Sequence, residues 1–274
     1  MCGVFGIYNF EKDLILNVES ISGEQKHRGP DNFGFHKEDN FILGNNRLSI
    51  IDLNSGNQPF YSLDKKIIVI QNGEIYNYKF LQKKLKVFKI KFNTNSDTEV
   101  ILKLYEFYGI NFIDFLEGIY SIIIHDKNLN KVFFIRDRFG EKPLFIFHDS
   151  NQTIVSSEIR IIKKIKKLEI NKKSIISYLR HNYIIGPKTI YKNVKHIEPG
   201  SYVEFNLNNN NLRSIKYFDL IEKLDSNNKV LKSTDFNESI KLKTVSDVGY
   251  SVLLSGGIDS SALISQINDK IDFN

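Results

Sequence analysis

Cysteine and methionine are nearly missing from this chain. Its 274 residues hold one of each, Cys2 and Met1, and tryptophan is absent. A single cysteine excludes an intramolecular disulfide framework and fits a reducing compartment, so a cytoplasmic location is expected. Cysteine-based zinc spacing is excluded too, and the six histidines do not cluster. No run approaches the ~18 apolar residues a membrane span needs. The start, Met1–Gly6, lacks the basic region and apolar stretch of a signal peptide. A strong excess of one charge is also lacking. The net +6 is the balance of 38 Lys and Arg against 32 Asp and Glu. Lys163, Lys164, Lys166 and Lys167 read as a solvated helix face, and neither nucleic acid nor a membrane is expected as partner.

What is present suffices for a sizeable core. Apolar residues make up 41% and aromatics 12%, with room for one large domain or one domain plus part of a second. Up to about residue 207, apolar strands alternate with short helices. Ile67–Gln71 is a β-branched run ending at Asn72-Gly73, a turn signal. Asn77–Leu85 has helical spacing, with Phe80, Leu81 and Leu85 on one side. Ser96-Asp97-Thr98-Glu99 has the form of a capping box, followed by the stripe Val100, Ile101, Leu104, Tyr105 and closed by Gly109. Val132–Ile135, Leu144–Phe147, Thr153–Ser157 and Ser201–Leu207 read as strands, and Ser174–Tyr183 as a helix. Composition changes at four consecutive asparagines, Asn208–Asn211. The first domain is therefore placed at 2–207, a linker at 208–245, and the start of a second domain at 246–274. There Tyr250–Leu254 has a buried-strand pattern that runs into Ser255-Gly256-Gly257-Ile258-Asp259-Ser260-Ser261.

The position of the lone cysteine carries chemistry. Removing Met1 would leave Cys2 with a thiol and a free α-amine on one residue. Such an amine titrates near pH ~8 and can take the thiol's proton, which makes a nucleophile with its own base. Asn72 can offer a side-chain NH₂ and Gly73 a backbone N–H to a developing oxyanion, although the same pair also suits a plain turn. Arg47 is suited to a carboxylate. Asp97 is suited to an ammonium, or simply to the positive end of its own helix.

Five segments stand in order: Met1-Cys-Gly-Val-Phe-Gly6, His27-Arg-Gly-Pro-Asp31, Arg47-Leu-Ser-Ile-Ile-Asp52, Asn72-Gly-Glu-Ile-Tyr-Asn77 and Ser96-Asp-Thr-Glu99. Together they resemble the glutaminase domain of the class II glutamine amidotransferases, within them the glutamine-dependent asparagine synthetases. Arg136–Leu144 and Ser156-Ser157-Glu158 extend the match, and Ser255–Ser261 looks like the synthetase pyrophosphate loop.

The resemblance implies an α+β fold: a four-layer αββα sandwich with an N-terminal nucleophile, then the truncated start of an α/β nucleotide-binding domain. It implies that Cys2 hydrolyses glutamine with Asn72 and Gly73 as oxyanion hole. Arg47, the backbone of Leu48, Ser49, Ile50 and Ile51, Glu74 and Asp97 would bind the amino-acid end of glutamine. Arg28 and Asp31 would shape and close the site. Leu254, Ser255, Gly256, Gly257, Asp259 and Ser260 would hold the pyrophosphate end of ATP, with Asp259 placing Mg²⁺; the glutaminase half needs no cofactor. Ammonia would then amidate an ATP-activated aspartate. Alternatives are amidation of another carboxylate such as a sugar acid, a stand-alone glutaminase subunit serving a separate synthetase, or an inactive glutamine-binding fragment. A homodimer is a further expectation. Asn45 stands where that family often has His, which could alter how the Arg47 loop is held. Truncating Arg47 is expected to weaken glutamine binding and leave the fold intact.

Overall fold

The computed structural model describes residues 1–9, 17–222 and 233–267. The chain divides into two compact units, 1–219 and 220–274. In the first, two antiparallel six-stranded sheets are stacked. One runs β10 (Val194–His196), β8 (Phe145–His148), β9 (Gln152–Ser156), β1 (Gly3–Asn9), β3 (Phe41–Arg47) and β2 (Asn32–Glu38). The other runs β12 (Asn211–Lys216), β11 (Ser201–Asn206), β7 (Lys131–Arg136), β6 (Gly118–Asp126), β5 (Ile67–Ile75) and β4 (Phe60–Tyr61).

Strand side chains alternate between faces, so each central strand feeds two interfaces. Val4 and Tyr8 of β1, Leu43 of β3, Ile68 and Ile70 of β5, Ile123 of β6 and Phe134 of β7 meet in one core between the sheets. Phe5 and Ile7, the other face of β1, pack with Ile42 and Ile154 against Val18 and Ile21 of α1 (Val18–Gly23) and Ile161 and Ile162 of α4 (Ile159–Ile165). On the far side, Gln71 of β5 donates to Thr98 Oγ1 of α3 (Asp97–Tyr108) at 3.0 Å, which places α3 on the outer face of the second sheet. The order is helix, sheet, sheet, helix: the αββα sandwich implied by the motifs. Because β1, β3, β5 and β6 are covered on both faces, each carries consecutive apolar residues such as Phe41–Leu43, Ile67–Ile70 and Ile122–Ile124, and not a strict alternation.

Several local expectations change. Asn72-Gly73 is not a turn: β5 continues through it to Ile75, with Asn72 opposite Ser121 and Gly73 opposite Tyr120. Gly73 is required there because its φ is +151° and a Cβ would lie 2.0 Å from Ile119 O. The α3 cap is not reciprocal. Ser96 Oγ accepts from Thr98 N at 3.2 Å, but Glu99 turns to Asn93 N and Thr94 N, at 2.9 and 2.7 Å. Gly109 does end α3, with φ +57° and its N–H on Tyr105 O. In α2 (Tyr78–Val87), Leu81 and Leu85 are buried, but Tyr78 joins them and Phe80 points to solvent. The asparagine run forms the turn of the β11–β12 hairpin, Asn206 opposite Asn211, so the first unit extends past residue 207.

The second unit differs more. Residues 223–232 of the expected linker and 268–274 lie outside the described residues. Tyr250–Leu254 is irregular and not a strand; Leu253 is 93% and Leu254 60% exposed. An apolar pattern becomes a buried strand only when a neighbouring strand takes its backbone groups, and none of the described strands pairs with it. The helix Ile258–Ile267 buries no side chain, and Ile240 of the helix Ser233–Lys243 is the one buried apolar residue among those described in this unit.

Candidate active site

A cleft opens at Cys2, just ahead of β1. Its walls include Met1, Cys2, Arg47, Leu48, Ile50, Ile51, Asn72, Gly73, Glu74 and Asp97. The cleft is open at its mouth, and its walls mix charged and polar groups with the Leu48, Ile50 and Ile51 side chains. Of the expected glutamine-binding residues, Ser49 alone is not on the wall. Its N–H is taken by Asp31 Oδ2 at 2.7 Å, which holds the loop that carries Leu48 and Ile50.

Cys2 is nearly buried at 9% exposure. Its Sγ accepts from Leu48 N at 3.3 Å and lies 3.6 Å from Leu48 O. Burial pushes the thiol above its ordinary pKa, against the pull of the Leu48 N–H, so it needs a base to ionise near neutrality. Its carbonyl accepts from Arg28 Nε at 2.9 Å, and Arg28 Nη1 pairs with Glu158 Oε1 at 2.9 Å. The α-amine of Met1 is pushed below its usual value, by burial first and by nearby Lys142 and Arg28.

Asp97 is buried at 5% exposure at the first position of α3. Its Oδ2 accepts from Ile75 N at 3.0 Å. Burial dominates, with Glu74 adding repulsion, and lifts its pKa to about 6. Such a carboxylate gains by meeting a cation. Glu74 is also raised by burial.

Arg47 departs from the open fork expected of it. Nη2 donates to Ile51 O at 2.8 Å and Asp52 O at 2.7 Å, and Nη1 to Asn57 Oδ1 at 2.7 Å and Leu53 O at 3.5 Å. The buried loop carbonyls need donors, and the guanidinium supplies them. Gly56 permits this, since a Cβ there would lie 2.3 Å from Nη2. Arg47 therefore presents a positive charge to the cleft while holding the 51–57 loop. Arg47→Ala, expected from sequence to spare the fold, should instead leave several carbonyls unpaired. We expect a loss on the order of 3 kcal/mol in a denaturant melt, together with a KM for glutamine raised at least ~10-fold. Asn45 does not engage that loop; its Nδ2 donates to Gln71 O at 2.9 Å.

Gly56, Gln58, Gln71, Ser96, Thr98 and Lys142 also line the cleft, though the sequence motifs do not mark them as substrate-binding. Lys142 lies in the Arg136–Leu144 motif. Its N–H is fixed by Asp137 Oδ2 at 2.9 Å and its carbonyl by Arg136 Nε at 2.9 Å. Gln58 Oε1 accepts from Gln71 N at 2.6 Å. No motif marks Gln58.

A family model of the glutamine amidotransferase domain matches residues 1–218, the whole first sandwich. This chain belongs to the glutamine amidotransferase family. A second model, asparagine synthase, matches residues 233–270. The chain is 34% identical over 306 residues to a putative glutamine-hydrolysing asparagine synthetase of Methanocaldococcus jannaschii, covering 100% of this chain and 58% of that one. It is 35% identical over 296 residues to asparagine synthetase 2 of Bacillus subtilis, covering 100% of this chain and 39% of that one. The chain thus spans about half the length of such relatives. Among solved structures, glutamine phosphoribosylpyrophosphate amidotransferase of B. subtilis aligns with a TM-score of 0.58 at 20% identity. The alignment covers 79% of this chain and 49% of that one, which is a likeness of fold. No helix of the described residues is long and apolar enough to cross a membrane.

Proposed function

We propose that the first unit hydrolyses glutamine to glutamate and ammonia, with Cys2 as nucleophile after loss of Met1. The observation that carries this reading is the Cys2 thiol at the base of a cleft that also holds Asp97, Arg47, Asn72 and Gly73. The α-amine of Cys2 takes the thiol proton while Sγ bonds to the amide carbon. The carbonyl electrons move onto oxygen, where Asn72 and Gly73 donate to it. Collapse expels the amide nitrogen, which leaves as ammonia with the amine's proton. Water then cleaves the thioester, releasing glutamate and restoring the thiol. Asp97 takes the substrate's ammonium, and the Arg47 charge faces its carboxylate, with the Leu48–Ile51 backbone and Glu74 alongside.

In a longer enzyme like its relatives, the ammonia would pass to an aspartate activated by ATP. Leu254 and Ser255–Ser260 would form the anion cradle for that ATP. Gly256 has φ +79°, and the turn opens directly into a helix at Ile258. Asp259 is exposed, and no cluster of three acidic, His or Cys groups able to hold a metal exists among the described residues. Mg²⁺ is commonly held by one or two carboxylates together with substrate phosphates and water, so Asp259 would place it on the ATP phosphates of the longer enzyme.

Glutamate and ammonia should appear in equal amounts from material whose intact mass lacks Met1, and material retaining Met1 should be inactive. Because the described part of the second unit buries only Ile240 among its apolar residues, residues 1–274 should yield no asparagine when ATP and aspartate are added. Activity in the Met1-retaining species would remove the α-amine from the mechanism.

A further inference from the structure

Asn72 is fully buried, and its carboxamide is poorly matched to its neighbours. Nδ2 lies 3.5 Å from Ser121 Oγ and 3.4 Å from Ser157 Oγ, while Oδ1 has no hydrogen-bond partner. Ser157 Oγ already accepts from Val4 N at 3.1 Å. Its hydroxyl proton therefore needs an acceptor, and an NH₂ group is not one. Ser121, opposite Asn72 across β5 and β6 and fully buried, is in the same position. With NH₂ toward the serines, two buried hydroxyl protons and one buried carbonyl oxygen are left without partners.

A carboxamide's oxygen and nitrogen have nearly the same shape, and the surrounding network decides which end is which. Turning the Asn72 amide about its Cβ–Cγ bond gives both hydroxyl protons an acceptor and leaves only the NH₂ without a protein partner, at the place where Oδ1 had none. Oδ1 accepts from Ser121 and Ser157 with its two lone pairs. Asn72 lines the cleft and neither serine does, so an NH₂ turned away from the serines is the donor left for a ligand.

From this geometry we infer that Ser121 and Ser157 are positioning residues that hold the Asn72 carbonyl and thereby aim its NH₂ at the oxyanion. Ser157 also joins this device to the nucleophile strand. It exchanges two bonds with Val4, Ser157 N to Val4 O at 2.9 Å and Val4 N to Ser157 Oγ, two residues from Cys2. One hydroxyl thus sets both the strand that bears the thiol and the donor that faces it. The inference rests on the proposed glutaminase reading and extends it to two residues that never touch substrate.

A mutant cycle tests it on the Met1-free chain with glutamine. Ser157→Ala and Ser121→Ala should each lower kcat about 10-fold, and together approach the 10²–10³-fold loss of removing an oxyanion donor. KM should move less than about 2-fold, because Asn72 acts on the transition state. In an Asn72→Ala background Ser121→Ala should alter kcat less than about 2-fold, since nothing is left to aim, and Ser157→Ala should lose clearly less than its ~10-fold, keeping only the share due to its bond with Val4. Ser157→Ala also deletes a bond to Val4; if that variant does not fold, Ser121→Ala carries the test alone. Serine effects of equal size in both backgrounds would mean plain structural support and would overturn the inference, as would an unchanged kcat in the single variants. Asn72→Ala with wild-type kcat would instead sink the oxyanion role of Asn72 itself, which separates the two failures.

Discussion

Replacing Cys2 by alanine should lower kcat for glutamine hydrolysis at least ~10⁴-fold, the scale seen when a covalent nucleophile is removed. The hydroxyls on the cleft wall are already engaged: Ser96 Oγ accepts from Thr98 N, and Thr98 Oγ1 from Gln71 Nε2. The chain has no second thiol. Ser49, the nearest hydroxyl in the binding loop by sequence, is not on the cleft wall. The fold should tolerate the change, because Cys2 is held through its backbone: its carbonyl accepts from Arg28, and Gly3 starts the ladder with β3. Glutamine should still raise the melting temperature of the variant, since Arg47 and Asp97 stay in place. Turnover within tenfold of wild type would show that the thiol is a bystander.

Asp97→Asn should make glutamine binding worse and the protein more stable. An unfolded aspartate titrates near its ordinary 3.8, whereas the folded Asp97 is lifted to about 6. Between those values the folded chain holds the proton and the unfolded chain does not. Stability therefore falls as pH rises from 4 to 6, and above about 6 the fold carries the full cost of a buried anion. Asparagine keeps an oxygen for Ile75 N and has no charge to bury. The variant should gain on the order of 2 kcal/mol at pH 8, with the gain shrinking as pH drops from 6 toward 4. The same charge is what the substrate ammonium needs, so KM should rise about 10- to 100-fold. In the wild type, KM should climb as pH falls through about 6, when Asp97 takes up its proton. Melts of the two proteins at several pH values decide the matter; a destabilised Asp97→Asn at pH 8 would mean the carboxylate is already neutralised in the empty site.

Much of the site is legible in the chain. Cys2, Asn72-Gly73 and Asp97 carry their chemistry in residue type and order, and the runs Ile67–Gln71 and Val132–Ile135 announce β5 and β7. Less legible is anything set by contacts between distant segments. Asn-Gly looks like a turn locally, and only the pairing of β5 with β6 keeps it extended. Arg47 looks like a free fork, and only the folded 51–57 loop shows the carbonyls that occupy it. Tyr250–Leu254 has the composition of a buried strand without a described neighbour to make it one. Ser121 and Ser157 are ordinary serines until the unmatched Asn72 oxygen is seen beside them.

The setting of β1 has a practical corollary. Chain ends usually fray, but here the reactive residue sits at the mouth of a central strand flanked by β3 and β9 and clasped by the Arg28 side chain. Anything joined ahead of Cys2 starts at the cleft, of which Met1 is already a wall. An affinity handle fused to the cysteine end of this protein would therefore sit in the reaction chamber, and purification handles belong at the opposite end.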